Sequence, residues 1–211
     1  MLALPDPGEA TRVVLVRHAE TEEAARGRCY GRLDVALSPR GHRQAQALTA
    51  ALADFGLAAV YASPLARALD TARPIAAAQS LDTVVVAALR ELDFGEVEGL
   101  RYEQIEAERP ELFRAWMDDP AGVRFPGGES LADLRARVLP AAAEIRARHE
   151  REAVAVVGHG GVIRVVLAEA LGLADGALFR LDQTEGGVSV VDWLQGVPLV
   201  RSANATLYSP P

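Results

Sequence analysis

Apolar residues gather along this chain in two ways, as short unbroken runs and as stripes at helical spacing. Arg12-Val13-Val14-Leu15-Val16 is of the first kind. No polar residue alternates with its valines, the pattern of a strand covered on both faces in a parallel sheet. Ala58–Ala62, Val84-Val85-Val86 and Ala153-Val154-Ala155-Val156-Val157 read as further strands. Ser38-Pro39 supplies an N-cap followed by proline at the first helical position. Ala45, Leu48, Leu52 and Phe55 then follow at spacings of three and four, giving a helix with one buried face. Ser63-Pro64 repeats the start signal ahead of Leu65–Ala72, and Tyr102–Met117 reads as a helix broken at Pro110. Ser130 and Asp133 make a capping-box pattern for a long helix. Its stripe is Leu131, Leu134, Val138, Ala142 and Ile145, with Pro140 as the expected kink. A last helix runs over Val162–Leu171, and Gly187–Trp193 and Val197–Val200 read as strands at a sheet edge.

Strands alternate with helices, so the expected class is α/β: a three-layer α/β/α sandwich around a mostly parallel central sheet. The chain has no internal repeat, low-complexity tract or linker and reads as one domain over 1–211. A segment at about 95–128 is expected to cover the sheet's functional edge.

Composition narrows the function. A net charge of −7 disfavours nucleic acid as a partner, since binders of it carry a basic face. No apolar run reaches the ~18 residues of a membrane span, and Met1–Ala10 has neither the basic start nor the apolar centre of a leader peptide. With the single cysteine, Cys29, this leads us to expect a cytoplasmic protein. All 22 basic residues are arginine, which excludes Schiff-base lysine chemistry and a P-loop lysine. Genomic codon bias is the bland reading of that deficit and a use of arginine's planar fork the other; the exclusions hold under either. No His-x-x-x-His or Cys-x-x-Cys spacing occurs, so neither a metal nor another cofactor is expected.

The strongest chemical signal is where two of the apolar runs stop. The first ends at Arg17-His18 and the late one at Gly158-His159-Gly160-Gly161. Ligands of open α/β sheets bind at the carboxyl ends of strands. A lone histidine there is ordinarily a cap, but two strands delivering two histidines to one edge are not explained by packing. Arg67 falls in the first turn of the helix that follows the Ala58–Ala62 strand, where a helix N-terminus also attracts anions. His42 and His149 sit among charged residues on expected helices and read as surface groups, and Cys29 reads as a partly buried small residue.

Five motifs, in order, resemble the histidine phosphatase superfamily, also called phosphoglycerate mutase-like. They are Leu15-Val16-Arg17-His18-Ala19-Glu20-Thr21, the run Ser63–Ala72, Arg90-Glu91-Leu92-Asp93-Phe94-Gly95, Pro126-Gly127-Gly128-Glu129-Ser130 and Gly158-His159-Gly160-Gly161. The resemblance implies a phosphomonoesterase acting on a small phosphorylated metabolite through a phosphohistidine on His18. Arg17 and Arg67 would grip the phosphoryl oxygens and keep His18 unprotonated. His159 would hydrogen-bond the group in transit, and Glu91 would be general acid and then base. Thr21, Tyr30, Gly31, Tyr102, Gly160 and Gly161 complete the expected substrate-binding set, and the family allows a homodimer.

The chain departs from the family pattern in its first loop: Ala24 stands for an asparagine and Tyr30 for a glutamine, with Arg26 or Arg28 as the expected compensation. Arg28-Cys29-Tyr30-Gly31-Arg32-Leu33-Asp34 is similar to α-ribazole phosphate phosphatases, and a sugar phosphate is the other expected substrate type. Tyr30 with Tyr102, Trp116 or Phe125 would offer a flat surface to a heterocycle, unless these rings simply pack the covering segment onto the domain. Two alternatives remain. A cofactor-dependent phosphoglycerate mutase would have a longer segment before Gly-Gly-Glu-Ser, with paired arginines and a lysine; here Arg114 has no arginine neighbour and Tyr102 takes the lysine's place. A non-catalytic phospholigand-binding protein would require loss of a catalytic group, and all five are present.

Overall fold

A computed structural model describes residues 7–207; residues 1–6, where the stretch read as lacking a leader begins, and residues 208–211 lie outside them. Six strands form one sheet: β1 (Thr11–Arg17), β2 (Leu57–Ala62), β3 (Thr83–Val85), β4 (Ala153–Gly158), β5 (Val188–Leu194) and β6 (Val197–Ala205). Their order is β3-β2-β4-β1-β5-β6. The pairs β2–β3, β2–β4 and β1–β4 are parallel, whereas β5 and β6 add an antiparallel hairpin.

The unbroken valine runs have a direct structural reason. Val13 and Leu15 of β1, with Val154 and Val156 of β4, face a core closed by α5 (Leu131–Arg148) and α6 (Gly160–Leu171). Val14 and Val16, with Ala155 and Val157, face a second core closed by α1 (Pro39–Leu52) and α2 (Ala66–Ala78). Each central strand is therefore apolar on both sides, and the molecule is the expected α/β/α sandwich.

Several local expectations are met closely. Ser38 caps α1 by accepting from the Gly41 amide, and Ser130 and Asp133 form a reciprocal capping box. Pro110 separates α3 (Tyr102–Glu108) from α4 (Pro110–Asp118). Others are corrected. β5 is not at an edge: it lies between β1 and β6, buried along most of its length. Its apolar run reports two covered faces, and a covered face says nothing of strand direction. Ser63 is not a helix cap, since α2 begins at Ala66 and its cap position is Leu65. His149 is not a surface group: its ring lies between the Tyr61 hydroxyl, 2.9 Å from Nε2, and the Glu152 carboxylate, 2.7 Å from Nδ1. Cys29 is buried rather than partly buried.

The covering segment has a small core of its own, in which Val97, Ile105, Trp116, Val123 and Phe125 pack around Cys29. Trp116 and Phe125 meet edge to face at 5.1 Å, and Phe94 lies against both. Among the described residues no helix is long and apolar enough to cross a membrane.

Candidate active site

Parallel pairing of β1 with β4 places Arg17 opposite Gly158. The next residue of each strand is a histidine, so His18 and His159 leave the sheet side by side, with ring centroids 5.2 Å apart. Both are buried. Nδ1 of His18 lies 2.8 Å from the carbonyl oxygen of Ala19. A carbonyl only accepts, so Nδ1 carries the ring proton and the lone pair of Nε2 is left for chemistry. Burial, reinforced by the charges of Arg17 and Arg67, holds the His18 pKa well below its ordinary value, as expected for a neutral imidazole.

His159 is also held neutral, by burial first and then by Arg67. Its Nε2 lies 2.8 Å from the Ser63 hydroxyl. That hydroxyl oxygen also accepts weakly from the Leu65 amide at 3.4 Å, and it can give its own proton to Nε2, the arrangement in which the imidazole proton sits on Nδ1. The serine read from sequence as a cap thus orients the second histidine instead.

Arg67 is fully buried at the start of α2. Its Nη1 and Nη2 donate to the carbonyls of Leu33 and Gly31, at 2.7 and 2.6 Å, and its guanidinium lies over the Tyr30 ring, 4.8 Å from the centroid. Arg17 is held by the Gln183 carbonyl. The Nε of Arg17, the Nε of Arg67 and the Nδ1 of His159 are buried nitrogens with no hydrogen-bond partner among the described residues. Buried donors are nearly always paired, and each one left unpaired costs about 1–3 kcal/mol.

Glu91 lies beyond β3, after a short 3₁₀ turn at Ala87–Leu89. Its two carboxylate oxygens accept from the amides of Leu92 at 2.8 Å and Gly161 at 3.0 Å. A Cβ on Gly161 would collide with that carboxylate. The Gly161 amide, expected on the substrate, is engaged with Glu91 in this structure. Gly31 is similarly constrained, because a Cβ there would strike the Leu92 carbonyl and the Glu98 carboxylate of the covering segment.

These groups open on a cavity of about 160 Å³ lined by Arg17, His18, Tyr30, Gly31, Arg67, Glu91, Tyr102 and Gly160, together with Arg28, Cys29, Phe94 and Arg164. Thr21, expected on the phosphate, is buried and not among the residues that line this cavity, its backbone bridged to Leu37. Tyr102 stacks on Trp116 at 5.4 Å and turns its hydroxyl onto Cys29. Burial pushes the tyrosine and the thiol both up to about 12. Trp116 and Phe125 belong to the covering segment's own core, the packing role weighed against a ligand-stacking one.

Sequence reasoning missed Arg164. It stands four residues after Gly160 in α6, so helical spacing alone places it on the cavity side of that helix. Its Nε donates to the Leu181 carbonyl at 2.8 Å, and its remaining N–H groups make no hydrogen bond among the described residues. Arg28 donates to Ala24 and Gly99, clamping the first loop to the covering segment, while exposed Arg26 faces Glu20. Among the described residues no group of three His, Cys, Asp or Glu side chains is placed to hold a metal ion.

A neutral imidazole between two arginines at the carboxyl edge of a parallel sheet, facing an anchored carboxylate, is the centre of a phosphoryl-transfer enzyme. The chain belongs to the histidine phosphatase superfamily, branch 1, whose family model matches residues 13–206. It is 40% identical over 197 residues to phosphoserine phosphatase 1 of Hydrogenobacter thermophilus, covering 93% of each chain. A mycobacterial glucosyl-3-phosphoglycerate phosphatase superposes with a TM-score of 0.85 at 30% identity, over 93% of this chain and 99% of that one. A putative α-ribazole-5'-phosphate phosphatase of Escherichia coli gives a TM-score of 0.86 at 28% identity, over 96% and 100%. The chain is a phosphatase with the phosphoglycerate mutase-like fold.

Proposed function

We propose that the enzyme hydrolyses a small phosphate monoester bearing a carboxylate, through a phosphohistidine on His18. The observation that carries this reading is that Arg17 Nε, Arg67 Nε and His159 Nδ1 are buried without partners among the described residues, on side chains that all bear on the His18 imidazole; with the His159 proton on Nδ1, all three are donors. A phosphoryl group has three equatorial oxygens, and three fixed N–H donors answer them. In the first half-reaction the His18 Nε2 lone pair forms a bond to phosphorus while the ester P–O bond breaks. Glu91 gives its proton to the departing alkoxide. In the second, Glu91 takes a proton from water, whose oxygen attacks the phosphohistidine. Inorganic phosphate leaves and His18 is regenerated.

Arg164 supports the carboxylate. The cavity holds four arginines, Arg17, Arg28, Arg67 and Arg164, against the single carboxylate of Glu91. Two serve the phosphoryl group and Arg28 is occupied with backbone carbonyls, which leaves the free fork of Arg164 for a second anionic group. Phosphoserine and glucosyl-3-phosphoglycerate, named for the relatives above, both have one, whereas α-ribazole phosphate has none. Against a flat base, one face of Tyr30 is already covered by Arg67. The buried lone Cys29 fits a reducing, cytoplasmic setting.

The test is kcat/KM for phosphoserine, 3-phosphoglycerate, glucosyl-3-phosphoglycerate, α-ribazole phosphate and p-nitrophenyl phosphate, in wild type and Arg164→Met. Carboxylate esters should be preferred, and Arg164→Met should weaken them about 10-fold or more beyond its effect on p-nitrophenyl phosphate, the worth of one charge-assisted hydrogen bond. A preference for α-ribazole phosphate that falls in Tyr30→Ala would transfer the assignment to a stacking pocket.

A further inference from the structure

One arginine outside the cavity has every hydrogen of its guanidinium engaged. Arg137, in the second turn of α5, donates from Nε to Glu129 Oε1 at 2.8 Å. Its Nη1 donates to the carbonyls of Ala88 and Arg90, each at 2.7 Å. Its Nη2 donates to the Glu91 carbonyl and to Glu129 Oε2, each at 2.8 Å. A guanidinium has five N–H bonds, and these are five acceptors.

Three of the five belong to the turn that delivers Glu91, a turn with little regular structure to hold it. β3 is three residues long at the sheet's edge, and from its end the chain reaches Glu91 through a single 3₁₀ turn. Glu129 completes the clamp from the other side: its carboxylate accepts from the Asp93 amide at 3.1 Å, and its own amide donates to the Asp93 carbonyl at 2.9 Å. Residues 88–93 are thereby fixed to α5 through an ion pair, and α5 is fixed to the sheet by Leu134, Val138 and Ile145.

We propose that Arg137, braced by Glu129, is a positioning residue for the general acid. It sets the Glu91 carboxylate at the distance from the leaving oxygen at which proton transfer keeps pace with P–O cleavage. The inference rests on the reading of Glu91 as that acid. It touches neither substrate nor phosphoryl group, so its effect follows the leaving group's need for a proton. An alkoxide needs one and a nitrophenolate scarcely does.

The experiment compares kcat/KM, which reports the phosphorylation half-reaction, for the best-hydrolysed alkyl ester of the panel and for p-nitrophenyl phosphate. The proteins are wild type, Arg137→Lys, Arg137→Met, Glu91→Gln and Glu91→Gln/Arg137→Lys, each checked for folding by circular dichroism. Lysine keeps the charge that His159 feels but loses the five-donor fork, so Arg137→Lys serves if Arg137→Met does not fold. Arg137→Lys should lower the alkyl-to-aryl ratio roughly 10- to 100-fold, the cost of a misplacement on the order of 1 Å. The double variant should show no lower ratio than Glu91→Gln alone. Equal losses on both esters in Arg137→Lys, with a selective loss in Glu91→Gln, would overturn the role of Arg137 alone. A Glu91→Gln variant with no alkyl-selective loss would overturn the acid assignment beneath it.

Discussion

His18 and His159 are kept neutral by burial among arginines, and the stability of the protein should record it. An unfolded histidine takes up its proton near pH 6.5, whereas both groups in the folded state resist protonation until well below that. Between the two values the unfolded chain binds more protons, so stability is complete above the unfolded pKa and is lost as the pH falls. Each histidine should remove roughly 1.4 kcal/mol per pH unit in that window. The arginine-paired carboxylates Asp93, Glu129 and Asp192 are held low and enter only on further acidification, below their ordinary range. Urea unfolding between about pH 7.5 and 5.5 should therefore show a steep loss that His159→Gln makes shallower; an unchanged slope in the variant would contradict the burial argument. At this scale the candidate residues that the structure brings together, His18, Glu91 and His159 among them, lie in contiguous motifs of the chain. Ser63 and Arg137 were not legible as site residues, because their partners lie far away in sequence, whereas Arg164 was within reach of helical spacing from Gly160 and was overlooked. The serine's partner is 96 positions distant and the contacts of Arg137 to residues 88–91 span 46 to 49.

Among the elements, β6 is the edge strand expected and β5 lies one strand inside it, joined to β1 by a polar device. Arg12 of β1 and Asp192 of β5 are directly opposed in the sheet and joined by two hydrogen bonds of 2.7 and 2.8 Å. Arg201 of β6 adds a third, at 2.8 Å. Asp192 is 1% exposed, so this ladder ties three strands inside the protein and fixes the register between them. Removing one member of a buried charge cluster strands the others. Asp192→Ala should cost about 3–5 kcal/mol in chemical unfolding, and Arg12→Met/Asp192→Leu should recover most of it. A double variant no more stable than the single one would show that the cluster contributes attraction rather than merely avoiding an unpaired charge. The central strands β1 and β4 were legible because both their faces are apolar, and the helix starts because Ser38-Pro39 and Ser130 with Asp133 satisfy local amides. Strand direction was not legible, since β5 is apolar on both faces for the same reason as β1.

The whole molecule carries a net charge of −7, yet four arginines converge on one cavity. β1 and β4 bring the two histidines, α2 brings Arg67, α6 brings Arg164, and the clamped turn before the covering segment brings Glu91. The order of motifs along the chain made this convergence readable, because parallel strands ending at one edge must deliver their next residues to one place. The division of labour between the two histidines was readable only as resemblance. The proposed division rests on the contacts of the two rings: Nδ1 of His18 faces the Ala19 carbonyl, whereas Nε2 of His159 lies against the Ser63 hydroxyl. The decisive measurement is to mix the enzyme with ³²P-labelled substrate, quench within milliseconds and map the label. An acid-labile, base-stable phosphoryl group should be found on His18, and a folded His18→Ala protein should neither take up label nor turn over. Label on His159, or turnover by His18→Ala, would contradict the account.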